Sequence, residues 1–191
     1  GIAVFHEGQI QIRRTEGKLA ALEKMLATES FDGRTGIGHT RWATHGKPSE
    51  ENAHPHRDCT GRLVVVHNGI IENYSSLRQE LLAEGHVFSS QTDTEVLAHL
   101  IEKYLKDELV AAVRAALARV EGSYALGVLW AKEPNRIVAA RNQSPLVMGL
   151  SEDACHIASD IPALLPYTRT VIFLDDHELA VLDKGTYSIL G

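Results

Sequence analysis

The sequence predicts a single α+β domain, with many short strands in two sheets and helices packed outside them. Three observations carry that prediction. Apolar residues recur at helical spacing in several segments between residues 18 and 120. From residue 123 onward the texture changes to short strand-like segments separated by turns. No repeat, low-complexity tract or Gly/Ser linker divides the 191 residues, a length that suits one large domain or two small ones.

Taken in order, residues 1–5 and 9–13 read as strands around a Glu7-Gly8 turn. Over 18–27, Leu19, Leu22 and Leu26 mark a helix. Residues 35–41 form a glycine-bearing strand, where missing side chains let another backbone or a ligand approach. Residues 62–67 are a β-branched strand. A helix over 75–83 turns Leu77, Leu81 and Leu82 inward and ends on Gly85 as its C-cap. Thr92-Asp93-Thr94-Glu95 has capping-box spacing and opens a helix carrying Val96, Leu97, Leu100, Ile101 and Tyr104. Asp107 caps the next helix, whose buried stripe is Leu109, Val110, Val113, Leu117 and Val120. Strands follow over 123–130, 136–140, 146–150, 154–158, 170–174, 178–182 and 187–190, with one short helix over 160–165.

Composition narrows the functional classes. Hydrophobic residues make up 44%, enough for a sizeable core. The net charge is −6 and Lys/Arg do not cluster, so the electrostatic footprint of a nucleic-acid binder is missing. The longest apolar runs are strand-length, such as 63–66, so no membrane span is expected. No signal peptide opens the chain, since the first residues lead straight to His6 and Glu7, and two cysteines make no disulfide framework. The expectation is a cytoplasmic protein.

Polar chemistry concentrates in residues 38–73, GHTRWATHGKPSEENAHPHRDCTGRLVVVHNGIIEN. Such a density of donors suits a site that grips a small polar ligand. Arg41 has the planar fork that clamps a carboxylate, or it makes an ordinary surface ion pair. Asp93 sits in the first turn of a helix, where compensation of the helix dipole is by itself a good reading. Asn68-Gly69 supplies a side-chain amide donor and an approachable backbone N–H, the two donors of an oxyanion hole, or it is a tight turn. Trp42 is a core ring or lines a pocket.

His39, His45, His54, His56, Cys59 and His67 invite a metal, but the Cys-x-x-Cys and His-Glu-x-x-His spacings are absent. We therefore expect no metal and no cofactor, with these histidines bonded to loop backbone. Cys59 reads as a surface thiol with no orienting partner. Cys155 and His156 are adjacent in a strand and point to opposite faces, so they form no dyad, and Cys155 reads as a core residue. The Gly-x-Ser-x-Gly elbow is absent.

In order along the chain, GIAV, TRWATHG, NAHPH, HNGIIEN, SQTDTEVLAHL, EGSYAL, AARNQSPLVMGL and ASDIPALLPYT resemble the type 2 glutaminase domain of the glucosamine-6-phosphate synthase family. The glutaminase of amidophosphoribosyltransferase shares the HNG element and stands second, and a glutamine-binding module without a nucleophile is the third reading. The resemblance implies an N-terminal-nucleophile hydrolase fold, a four-layer αββα sandwich with two antiparallel sheets. It implies L-glutamine as the ligand, with Arg41 on its α-carboxylate and Asp93 on its α-ammonium. Thr44 and His45 would add contacts. Asn68 and Gly69 would form the oxyanion hole, and Trp42 would border the exit of ammonia.

The family's nucleophile is a cysteine at the N-terminus, whose own amine, with a pKa of roughly 7.7–8.0, serves as base. This sequence begins with Gly1, so an opening strand and helix carrying that cysteine are expected to precede it, and the chain as it stands is expected to be inactive. The same resemblance implies sugar-isomerase domains in one longer polypeptide, acting on fructose 6-phosphate and pairing the enzyme as a homodimer.

Overall fold

Two long strands set the frame. β5 (Leu63–Ile71) runs antiparallel to β6 (Gly122–Trp130) along its whole length, and both are buried on both faces over most of their span. A strand apolar on both faces belongs between two packed layers. The computed structural model describes residues 1–29, 31–42 and 46–191, so the expected contacts of Thr44 and His45 lie outside the described residues.

The main sheet has six strands in the order β12 (Thr186–Leu190), β11 (Leu179–Asp183), β7 (Arg136–Asn142), β6, β5 and β4 (His56–Arg57), all antiparallel to their neighbours. One face carries Leu63, Val65, Ile71, Leu126 and Val128. It packs on α2 (Tyr74–Ala83), α3 (Thr94–Tyr104) and α4 (Leu109–Leu117). Along α3 every residue from Thr94 to Ile101 is buried.

The opposite face carries two three-stranded sheets. In the first, β1 (Ile2–His6) lies between β2 (Gln9–Arg13) and β3 (Gly36–Gly38), and Ala3 and Ile37 pack on Val64, Val66 and Leu129. In the second, β8 (Val147–Leu150) lies between β10 (Thr170–Phe173) and β9 (Cys155–Ala158), and Met148 packs on Ala125, Ala139 and Ala180. Small residues in the main sheet permit this approach. A Cβ on Gly127 would stand 3.0 Å from Ile157 Cδ1 and 3.6 Å from Ile37 Cγ2. The second sheet expected from the sequence is therefore present in two halves. α1 (Leu19–Thr28) buries only Leu22, and Leu19 of its expected stripe is exposed.

Several boundaries differ from expectation. β3 covers only the glycine-rich part of 35–41, while β5 continues through His67, Asn68 and Gly69 to Ile71. The two-residue β4 carries no periodicity that a sequence could reveal. Leu82 faces outward at the edge of α2. The segment over 160–165 is a 3-10 turn at Ile161–Ala163. The end of α2 is as expected: Gly85 has φ +94, and the N–H groups of Gly85 and His86 bond the carbonyls of Leu82 and Leu81 in a Schellman arrangement.

The capping box at α3 is only half made. Thr92 Oγ1 accepts the Glu95 N–H, but the Glu95 carboxylate turns to Ser89 and Ser90, taking their backbone N–H groups at 2.7 Å each. At α4 the cap is Glu108, not Asp107. Its carboxylate accepts from the N–H groups of Val110 and Ala111 at 3.0 and 2.7 Å. The longer side chain reaches the first turn one residue later than the sequence suggested.

Replacing Glu108 with Ala should therefore lower stability by about 1 kcal/mol, the usual worth of an N-cap. In a domain of this size that is a drop of roughly 2–4 °C in melting temperature. Asp107→Ala should leave the melt unchanged, and equal losses in the two variants would contradict the assignment.

Candidate functional site

Strand alternation distributes the chemistry of β5. Val64, Val66 and Asn68 face the two small sheets, while Val65 and His67 face the helices. Asn68 consequently opens into a groove of about 880 Å³ whose floor includes Val66 and Gly127, with β3 on one side and β9 on the other.

Asn68 is held by His39, the residue that follows β3. His39 Nε2 stands 2.6 Å from Asn68 Oδ1. Burial holds His39 below its usual pKa, outweighing the opposing pull of the Asn68 hydrogen bond. The neutral ring fits this contact as a donor from Nε2–H, which occupies the amide oxygen and leaves the Asn68 NH2 group as a donor at the groove. Gly69, next along the strand, has φ +130, and a Cβ there would fall 2.1 Å from the Ser123 carbonyl oxygen. Any other residue is excluded by strain and by collision. Asn68-Gly69 is thus part of a strand interior, and its reading as a tight turn is overturned.

Behind Asn68 the imidazoles stack. His39 lies 4.1 Å from His54 centroid to centroid, and His54 meets His56 edge-on at 4.9 Å. His54 Nδ1 accepts the His67 N–H at 3.3 Å, His67 Nδ1 meets Thr94 Oγ1 at 2.9 Å, and His56 Nε2 meets Thr92 Oγ1 at 3.0 Å. Burial is the largest cause of lowered pKa in all of them. It holds His54 well below its ordinary value and brings His56 to about 3, against a raising pull from Glu95. These rings bond to side chains as well as backbone, a richer network than the loop bonds expected from the sequence.

Arg41 donates to the carbonyls of Gly46 and Lys47 at 3.1 and 3.4 Å. Burial lowers its pKa and the charge of Asp93 raises it, which places the two residues within each other's field. Asp93 is buried at the start of α3, where Oδ2 accepts the Ile71 N–H at 2.9 Å. Trp42 is 91% exposed, so the core-ring reading fails. It borders, with Arg41, a second cavity of about 230 Å³ that shares Gly1, His39 and Thr40 with the groove. Asn68, Arg41 and Trp42 thus line one region on either side of His39, while Gly69 and Asp93 are not among the lining residues of either cavity. The Gly1 amine donates to the His39 carbonyl at 2.9 Å, which brings the first residue of the chain to the same place.

Neither cysteine is set up as a nucleophile. Cys59, expected to lack an orienting partner, has His86 and His99 beside it, but it lies outside both cavities and burial pushes its thiol up. Cys155 is half-buried, packed against the core beneath the second small sheet and reaching the groove edge, and burial pushes its thiol up. His156 stacks on Tyr167. The residue that sequence reasoning missed is His39 as the orienting partner of Asn68. Its signal was its place directly after a strand whose glycines imply a close approach.

Residues 39–166 match the model of the family described as the glutamine amidotransferase domain, and the chain belongs to that family. It is similar to curated proteins named glutamine–fructose-6-phosphate aminotransferase [isomerizing]. The one from Caldanaerobacter subterraneus is 51% identical over 190 residues, covering 100% of this chain and 31% of the relative. The one from Pyrococcus horikoshii is 53% identical over 191 residues, covering 99% and 32%. The chain therefore spans about a third of the length of these relatives. Among solved structures, the glutamine phosphoribosylpyrophosphate amidotransferase from B. subtilis matches with a TM-score of 0.84 at 25% identity, over 99% of this chain and 42% of that one. A glutamine aminotransferase class-II domain protein from Silicibacter pomeroyi shares the fold, with a TM-score of 0.74 at 16% identity, over 99% of this chain and 89% of that one. The α+β, N-terminal-nucleophile type of sandwich expected from the sequence is the one found.

The histidine stack makes stability depend on pH. Its folded-state pKa values lie below the ordinary 6.5, so the unfolded chain binds more protons as pH falls. The stabilising contribution is complete above 6.5 and is lost as pH drops from there toward 3, the folded value for His56. Each such histidine contributes a slope of at most about 1.4 kcal/mol per pH unit. Melting curves should be level at neutral pH and fall steadily below about pH 6.5. A melting temperature unchanged down to about pH 5 would contradict a neutral buried stack.

Proposed function

We propose that the domain hydrolyses L-glutamine at Asn68 and that the ammonia feeds synthesis of glucosamine 6-phosphate from fructose 6-phosphate, carried out by sugar-isomerase domains of a longer polypeptide. The names of relatives about 50% identical support that acceptor over a phosphoribosyl one, because the phosphoribosylpyrophosphate amidotransferase is only 25% identical. The proposal extends to a homodimer formed through those further domains and to a cytoplasmic location. No described helix is long and apolar enough to cross a membrane.

The observation that carries the reading is the fixed amide of Asn68. A glutamine carboxamide in the groove would develop a negative oxygen when attacked, and a preset donor lowers that barrier without reorganising. Asn68 Nδ2 and the Gly69 N–H are the proposed donors, with His39 as the residue that orients Asn68. Arg41 would take the α-carboxylate, shifting part of its donation from the Gly46 and Lys47 carbonyls, and Asp93 would take the α-ammonium. Thr44 and His45 would add contacts to the glutamine, and Trp42 would border the exit of ammonia.

The nucleophile is proposed to come from an N-terminal cysteine on an extended segment seated in the groove. The outer edges of β3 and β9 both border that groove over the main sheet. A strand laid between them would join the two half-sheets into one. It would also bring a thiol beside Asn68. The thiol attacks the carboxamide carbon, ammonia leaves with the proton the terminal amine has taken, and water then hydrolyses the thioester.

Ammonia release from glutamine separates this reading from a binding module that lost its nucleophile. The 191-residue chain should show no turnover, because removing a covalent nucleophile costs several orders of magnitude. A polypeptide extended to begin with cysteine should turn over, and an inactive extended protein that still binds glutamine would favour the module. In the active protein, Asn68→Ala should lower kcat roughly 100- to 1000-fold with KM little changed. A variant with a reduced melting temperature and normal kcat would remove Asn68 from the site. Arg41→Lys and Asp93→Asn should each weaken binding of a glutamine analogue by about 1–3 kcal/mol. Unchanged affinity in both would show that the amino-acid end lies elsewhere.

A further inference from the structure

Away from the groove, the loop between β4 and β5, the turn after α2 and the middle of α3 converge on Cys59, His86, His99 and Glu102. One ligand atom from each lies within 4.8 Å of all the others. Cys59 Sγ stands 3.7 Å from His86 Nδ1 and 3.4 Å from His99 Nδ1. Glu102 Oε2 stands 3.0 Å from His86 Nδ1 and 3.2 Å from His99 Nδ1.

Local structure delivers each ligand. His99 and Glu102 are three apart on α3 and share a face. The Schellman turn at Gly85 ends α2 and presents His86. Asp58 shapes the Cys59 loop by accepting the N–H groups of Arg62 and Leu63.

Glu102 Oε2 also accepts the Cys59 N–H at 3.2 Å, so two protonated Nδ1 atoms would give three donors to one carboxylate oxygen, which has about two lone-pair directions. With their protons on Nε2, both Nδ1 atoms carry lone pairs beside the same sulfur and the same carboxylate oxygen. His99 then holds its proton on Nε2, which faces Glu95 Oε1 at 3.6 Å. At that distance Glu95 is a neighbouring charge, one that favours the proton on Nε2 and leaves Nδ1 free for a ligand.

We propose that Cys59, His86, His99 and Glu102 bind one zinc ion in a closed tetrahedral site, independently of the glutamine reading. Ordinary zinc bond lengths set the edges of such a tetrahedron at about 3.6 Å for sulfur to nitrogen and about 3.3 Å for nitrogen to oxygen. The observed spans are 3.4–3.7 Å and 3.0–3.2 Å. A thiolate, two imidazoles and a carboxylate suit zinc over the hard cations. On binding, the Cys59 thiol releases its proton, and thiolate and carboxylate balance the charge of the ion. Four protein ligands leave no open position, so the role is structural. The ion ties two loops to α3 about 9 Å along the helix from Asp93. Along the chain Cys59 stands near His54 and His56, and His86 and His99 join it only in the fold.

The tag-free chain, stripped with chelator and resupplied with zinc, should retain one zinc per chain by elemental analysis. With cobalt(II) in its place it should show the thiolate charge-transfer band and the strong visible bands of a tetrahedral site. Zinc at a hundredfold over Kd should raise the melting temperature by roughly 5–10 °C. Cys59→Ser should abolish the charge-transfer band and lose most of the zinc, while Cys155→Ser should keep both. A parent chain without tetrahedral cobalt bands, or a Cys59→Ser variant that holds zinc as tightly as the parent, would overturn the proposal. The parent's cobalt spectrum decides even if Cys59→Ser fails to fold.

Discussion

Everything at the site depends on β5 being buried on both faces. Such a strand has no solvent side on which to place polar residues, so each polar side chain it carries must find partners in a packed layer. His67 finds Thr94 and the Ser123 carbonyl on the helix side, and Asn68 finds His39 on the other. Slipping the register by one residue would put the histidine in the groove and the amide among leucines, costing both networks at once. The pairing with β6 fixes that register, and Gly69 can lie so close to Ser123 because it has no Cβ.

The electrostatics of the stack follow from the same burial. Imidazoles at 4–5 Å in a dry interior repel one another when charged, and desolvation already disfavours charging. Neutral rings can both donate and accept, which lets His39 aim Asn68 while His54 accepts from the His67 backbone. Cationic side chains there would place positive charge behind the proposed oxyanion but lose the acceptor roles that hold the backbone.

Much of this was legible in the sequence, for identifiable reasons. Strand and helix periods placed nearly every element, because the apolar stripes of α3 and α4 and the doubly buried runs of β5 and β6 are long enough to be unambiguous. Asn68, Arg41 and Asp93 were singled out by residue type and setting. What was not legible depended on distance in the chain. The second sheet divides between β3 and β9, far apart in the chain, and the His39–Asn68 contact and the meeting of Cys59 with His86 and His99 join residues 27 to 40 apart. Caps were misplaced where a side chain reached further than its position implied, as with Glu108, or turned to a different loop, as with Glu95.

α3 is where these strands of the structure meet. It is buried for two turns, and its first residues hold Asp93 against Ile71 and Thr94 against His67. Glu95, next in line, gathers the 89–90 loop on one side and faces His99 on the other. Burial pushes its carboxyl up, but the nearby His99 and the hydrogen bonds from Ser89 and Ser90 prevail and bring it to about 2. A charged carboxylate is therefore kept inside the domain between the proposed glutamine site and the proposed zinc site. Removing its charge would release the loop and His99 together, so the two sites share a support even though they share no ligand. A helix whose outer half is clamped has less freedom to fray at its inner end, and that inner end is where Asp93 must hold its position.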